Sequence, residues 1–219
     1  MHSVVQNLIN IKNKIKTNLI DLNKKNQTEI IAVSKTFKLE KILPLIEYGH
    51  IHFGENKVQE ALDKWSNIKK KDLNIRLHMI GKLQTNKVKF AVKIFDYIHS
   101  VDSEKLAKKI SEEQNKINKK LKVFIQVNIG NESQKSGINK DDLEKLIVYC
   151  KDISLDLVGL MCIPPFDIDP TNYFNEMSKL NNKYGLTELS MGMSSDYLIA
   201  AQNSSTFVRI GSSIFGQRF

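Results

Sequence analysis

The chain is poor in arginine, cysteine, proline and glycine, and it has no long apolar run. Its 2 cysteines, Cys150 and Cys162, show no metal-ligand spacing, so both are expected as small core residues in a reducing cytoplasm. Its 4 prolines and 10 glycines form no low-complexity linker, and residues 1–219 are expected to make one domain. No stretch approaches the roughly 20 apolar residues of a membrane span. Met1-His2-Ser3-Val4-Val5 lacks a charged region leading into an apolar one, so no secretion is expected. The only arginines are Arg76, Arg209 and Arg218, against 33 basic residues in all. Nucleic-acid sites favour arginine for bidentate and stacking contacts. The net charge of +9 is therefore read as a lysine-rich solvated surface. No P-loop, dinucleotide fingerprint or nucleophile elbow occurs. His2, His50, His52 and His99 have no spacing with carboxylates that suggests a metal.

What is present is alternation. An amphipathic segment over residues 3–25 places Val5, Leu8, Ile11, Ile15, Leu19 and Leu22 at helical spacing. Short apolar runs follow at 29–34, 51–53, 75–80, 97–101, 121–128, 155–161, 188–191 and 206–210. Helical candidates lie between them at 39–48, 57–68, 86–92, 104–115, 140–149, 171–183 and 196–203. Parallel strands need crossovers, so the pattern predicts an α/β fold with a parallel sheet. Eight such units predict a single (β/α)8 TIM barrel with an extra N-terminal helix, an open doubly wound sheet being the competing topology. In a barrel the polar turns after the runs meet on one rim, where sites are built. Residues 131–137 read as a mobile rim loop.

Lys35 closes the first run, Ile30-Ile31-Ala32-Val33-Ser34-Lys35-Thr36. A partly desolvated amine there is free to condense with an aldehyde, although a lone lysine after a strand is usually a solvated helix start. Arg209-Ile210-Gly211-Ser212-Ser213 places small residues at a strand-to-helix turn, a ready phosphate site or an ordinary capped turn. Leu189-Ser190-Met191-Gly192-Met193-Ser194-Ser195-Asp196 closes the same cup from the neighbouring strand, with plain helix capping as the alternative. Asn56, in Phe53-Gly54-Glu55-Asn56, places an amide by the ligand or serves the turn. Met161 packs on the ligand or in the core, and His78 reads as a satisfied interior residue.

These blocks resemble the pyridoxal-phosphate homeostasis (binding) proteins, single-domain relatives of the fold-type III alanine racemases. The resemblance spans residues 30–218. It adds Asn56-Lys57-Val58-Gln59-Glu60, His78-Met79-Ile80-Gly81-Lys82-Leu83-Gln84-Thr85-Asn86-Lys87, Val101-Asp102-Ser103, Lys135-Ser136-Gly137, Gly159-Leu160-Met161 and Ile214-Phe215-Gly216 to the motifs above. It implies an alanine-racemase N-terminal-domain-like barrel with pyridoxal 5′-phosphate on Lys35 as a Schiff base. It further implies that Ser194, Gly211 and Ser212 hold the phosphate and that Asn56 and Met161 lie against the cofactor. Arg209 would face the pyridine nitrogen and disfavour its protonation, which weakens the cofactor as an electron sink. Lys135 matches a family lysine associated with cofactor handling and is expected as a second, transfer site. Two departures stand out. Phe37 replaces a second lysine found in some members, and the chain ends at Phe219 without the lysine-bearing tail of others.

The resemblance thus implies a cytoplasmic buffer or deliverer of the cofactor, with apo forms of cofactor-dependent enzymes as recipients and no catalytic residue of its own. A minimal racemase or lyase on the same fold is the alternative. Racemases of this type add a β domain and take a second acid/base group from a dimer partner. Eight barrel units leave no residues for that domain, so a monomeric carrier is expected. A basic nucleic-acid module is the third reading, set aside on the scarcity of arginine.

Overall fold

Parallel strands need crossover connections, and the crossover helices bury both faces of such a sheet. The computed structural model describes residues 2–24, 27–71, 74–132 and 134–217. After α1 (Ser3–Asp21), strands and helices alternate as β1 (Glu29–Val33), α2 (Leu39–Glu47), β2 (His52–Glu55), α3 (Val58–Lys69), β3 (Arg76–Met79), α4 (Val88–Ile94), β4 (Tyr97–Val101) and α5 (Glu104–Asn115). They continue as β5 (Lys122–Val127), α6 (Lys140–Asp152), β6 (Asp156–Cys162), α7 (Thr171–Lys183), β7 (Glu188–Ser190), α8 (Tyr197–Gln202), β8 (Phe207–Ile210) and α9 (Ser212–Phe215). The strands close in sequence order, and β1 pairs in parallel with both β2 and β8. The closed (β/α)8 barrel is the expected topology, and the open sheet is excluded.

Differences fall at element ends. The first helix, expected to residue 25, stops at Asp21, and Asn23 turns into the left-handed region at φ 52°. Lys25 lies outside the described residues, as do Ser133 in the rim loop and Arg218 at the end of the family resemblance. A 3₁₀ turn, Thr85–Lys87, takes the start of the helix expected at 86–92. The short helix α9 carries too few residues for a periodic signal.

Strand alternation divides the core in two. Ile30 and Ala32 of β1 join the large layer under the helices. Ile31 instead packs with Phe124, Met161 and Phe207 in a separate cluster inside the barrel. The helix α1 buries Val4, Val5, Leu8, Ile11, Ile15 and Leu19 against α8, α9 and α2. Asn7 Nδ2 also donates to the Ile214 carbonyl in α9 at 3.0 Å. The extra helix thereby braces the elements that carry the last two rim turns.

Candidate functional site

The same alternation that buries Ile31 points Val33 and then Lys35 up the barrel interior. Lys35 sits in the turn after β1, partly exposed, followed by Thr36 at φ 69°. A β-branched residue in the left-handed region is strained, and an ionic hub on α3 holds it. Lys64 Nζ donates to the Ser34 carbonyl at 2.8 Å, to Glu55 Oε1 at 2.8 Å and to Glu60 Oε1 at 2.9 Å. Glu60 Oε1 in turn accepts the Thr36 N–H. The Ser34 hydroxyl and the Trp65 indole N–H both donate to Glu55 Oε1, at 2.8 and 2.9 Å. Glu55 therefore faces α3 and not the cavity, and burial raises its pKa against the opposing pull of Lys64.

Asn56 follows β2 and faces inward. Gly81 makes room for it, since a Cβ at Gly81 would lie 2.5 Å from the Asn56 carbonyl oxygen. After β7, Gly192 adopts φ 92° and accepts the Arg209 N–H on its carbonyl at 2.9 Å. The turn is closed by Asp196 Oδ1, which accepts the Met193 N–H at 2.6 Å. Helix α8 begins at Tyr197 with Asp196 at its N-cap, so Ser194 is not a capping residue. Gly211 is the N-cap of α9, where the first amide N–H groups have no partner within the helix.

These turns enclose a cavity of about 640 Å³ at the carboxyl ends of the strands, lined by Lys35, Asn56, Ser194, Arg209, Gly211 and Ser212 together with Val33, Ile80, Ile163, Met193, Ser195 and Gln217. Arg209 is 5% exposed. Its Nη1 donates to the carbonyl and hydroxyl of Ser190, both at 2.7 Å, and its Nη2 donates to the Cys162 carbonyl at 2.8 Å. Burial lowers its pKa, yet a guanidinium keeps its charge. A fixed cation therefore lies in the cavity wall.

Six of the seven expected cofactor residues thus share one cavity. Met161 does not line it. It packs with Ile31, Phe124 and Phe207 one layer below, because the inward face of β6 reaches the cavity only at Ile163. Lys135 lines an adjoining cavity of about 360 Å³ that shares Asn56, Ile80 and Ile163 with the first. Its amine pairs with Glu132 and donates to the Pro164 carbonyl at 3.1 Å. The rim loop expected to be mobile is tied at its described ends. Gln126 Nε2 donates to the Ser136 carbonyl and Asn128 Nδ2 to the Glu132 carbonyl, at 3.0 and 2.9 Å. Phe37, in place of a second lysine, packs on Phe215 with ring centroids 5.0 Å apart. Cys150 and Cys162 are buried free thiols, each pushed up to about 12 by burial. Among the described residues there is no His/Cys/Asp/Glu group that could hold a metal and no helix long and apolar enough to cross a membrane. Sequence reasoning gave no individual site role to Val33, Ile80 or Met193 and did not name Ile163 or Gln217; of these, Val33 and Ile80 are the pair the chain alternation points to. Both could be found by counting in twos from Lys35 and from His78.

An amine, small hydroxyl-bearing turns, a helix start and a buried cation suit a phosphorylated aldehyde with a ring nitrogen. The volume is that of a small-molecule site. Comparison with known proteins bears on the same chemistry. Residues 9–218 match the family described as "Alanine racemase, N-terminal domain". The pyridoxal phosphate homeostasis protein of Aquifex aeolicus is 38% identical over 195 residues, covering 84% of this chain and 85% of that protein. Its counterpart in Vibrio cholerae is 36% identical, covering 100% of this chain and 98% of that protein. The structure of PipY of Synechococcus elongatus with PLP bound superposes with a TM-score of 0.80 at 32% identity, covering 92% of this chain and 100% of that one.

Proposed function

The chain belongs to the alanine racemase N-terminal domain family and, within it, to the pyridoxal phosphate homeostasis proteins, and from that premise we propose that it binds pyridoxal 5′-phosphate in the rim cavity and holds it for use elsewhere. The observation that carries this reading is the meeting of Lys35 with Ser194, Gly211, Ser212 and Arg209 around one cavity. When bound, pyridoxal phosphate supplies an aldehyde that condenses with amines and a ring that withdraws electrons. Lys35 offers the amine. The hydroxyls of Ser194 and Ser212, with the N–H groups at the start of α9, receive the phosphate. Arg209 brings positive charge to the ring side and keeps a proton off the ring nitrogen, which suits retention better than turnover. Asn56, approached closely by Gly81, lines the cavity beside Lys35. Lys135, across Asn56 and Ile163 in the adjoining cavity, serves as a secondary acceptor during hand-off to recipient apo enzymes. The carrier acts as a cytoplasmic monomer.

Titration with pyridoxal phosphate followed by borohydride reduction and peptide mapping tests the reading. A visible band should appear, and reduction should fix the cofactor to Lys35, with minor labelling of Lys135 at excess. Lys35→Ala should lose the band. A reducible adduct of undiminished strength in Lys35→Ala would overturn the assignment.

A further inference from the structure

Alternation sends His52, His78 and His99 inward from three successive strands, and there they meet end to end. His52 Nδ1 lies 2.9 Å from His78 Nε2, and His78 Nδ1 lies 2.9 Å from His99 Nε2. His99 Nδ1 lies 2.9 Å from Ser190 Oγ, which accepts from Arg209 Nη1 at 2.7 Å. Apolar faces hold the rings in place. Tyr97 stacks on His78 and Phe124 on His99, each with centroids 4.2 Å apart. The chain thus climbs from the barrel's lower interior to the guanidinium in the cavity wall.

A neutral imidazole carries one N–H and one lone pair. Three linked in this way have two self-consistent arrangements, with every proton on Nε2 or every proton on Nδ1. Burial keeps them neutral, pushing His52 to about 4 and His78 and His99 well below their ordinary value. Ser190 decides between the arrangements. Among the described residues its fully buried hydroxyl oxygen meets Arg209 and His99. Arg209 can only donate. If His99 Nδ1 donated as well, the hydroxyl hydrogen would be a buried donor with no acceptor, which is costly. The hydroxyl therefore donates to His99 Nδ1, and all three histidines carry their proton on Nε2.

We propose that His99, with His78 and His52 behind it, positions Arg209: the proton-ordered chain fixes the direction of the Ser190 hydroxyl and so the seat of the guanidinium at the cofactor ring. This role rests on the cavity's being the pyridoxal phosphate site. The proton order itself does not.

Ring-nitrogen NMR of the full-length protein labelled at histidine tests the order without cofactor. All three side chains should show a protonated Nε2 and a bare Nδ1 near neutral pH, and Ser190→Ala should give mixed tautomers. Protons on Nδ1, or tautomers indifferent to Ser190→Ala, would sink the proposal. Pyridoxal phosphate titration then reads the consequence. His99→Phe keeps a ring against Phe124 but has no nitrogen. It should bind on the order of tenfold more weakly, as expected for one lost hydrogen bond supporting a charged group, and its visible band should shift. His99→Asn, whose Oδ1 can replace Nδ1 as acceptor for Ser190, should recover most of the affinity and the original band. If His99→Phe does not fold, the contrast between His99→Asn and Ser190→Ala makes the same decision. No band in the unaltered protein overturns the cofactor reading and the positioning role together. A band and affinity that removal of the acceptor leaves untouched overturn the positioning role alone.

Discussion

Thr36 and Gly192 solve one problem in opposite ways. Each follows a strand whose last inward residue must reach the cavity, and each takes a positive φ, 69° and 92°. Thr36 is strained and held by outside bonds. Gly192 is unstrained but irreplaceable, because an added Cβ would lie 2.5 Å from Ala200 Cβ. Gly192→Ala should therefore destabilise by about 2 kcal/mol or more, combining left-handed strain with overpacking. It should also weaken cofactor binding by displacing the Ser194 turn. Urea denaturation and cofactor titration check both effects, and an unchanged urea midpoint would mean that the turn relaxes freely. The cavity residues Ser194, Gly211 and Ser212 were legible because small residues clustered after two neighbouring apolar runs. Met161 was not, because a run shows which residues share a face and not how high each stands in the barrel.

At the scale of the element, α3 acts as a brace for the Lys35 turn. Its Lys64 is 8% exposed in the side chain and pairs with the fully buried Glu55. Removing one member of a buried pair strands the other charge, at a cost of about 3–5 kcal/mol. Lys64→Met should lower stability by that order, and adding Glu55→Gln should recover part of it. Chemical denaturation of the two variants checks this, and a double variant no better than the single one would refute the pairing argument. The helix α1 braces the opposite side. Leu8 is fully buried against the barrel, so Leu8→Ala should cost about 2–5 kcal/mol. Loss of the α9 seat should lower cofactor affinity as well, measurable by the same titration. The helical spacing of residues 3–19 showed that this helix has an apolar face. It could not show that the face lies on α8 and α9.

Across the whole molecule, buried imidazoles set the acid limit. Burial lowers His50 to about 3 and His52 to about 4, and takes His78 and His99 well below the ordinary value. A histidine depressed in the folded state contributes stability that is complete above its unfolded pKa of about 6.5. That stability is lost as pH falls toward the folded value, because the unfolded chain binds the proton first. Stability should therefore be flat between about pH 7 and 8 and fall below 6.5, by up to about 1.4 kcal/mol per pH unit for each histidine until its folded pKa is reached. Urea midpoints measured at pH 7.5, 6 and 5 check this. A flat profile would show that these side chains are protonated in the fold.

Short apolar runs separated by helical ones determined by themselves an α/β fold with a parallel sheet, and the turns after those runs marked Lys35, Ser194, Gly211 and Ser212 as candidates for one rim. Both properties are local, since they follow from spacing along the chain. Only the closed barrel decided which inward residues share a layer. Closure staggers the strands, so height is set by register with neighbours distant in sequence. That register put Met161 beneath the cavity and Ile163 within it. It also joined His52, His78 and His99, separated by 26 and 21 residues, to Ser190 and Arg209 in a single hydrogen-bonded chain.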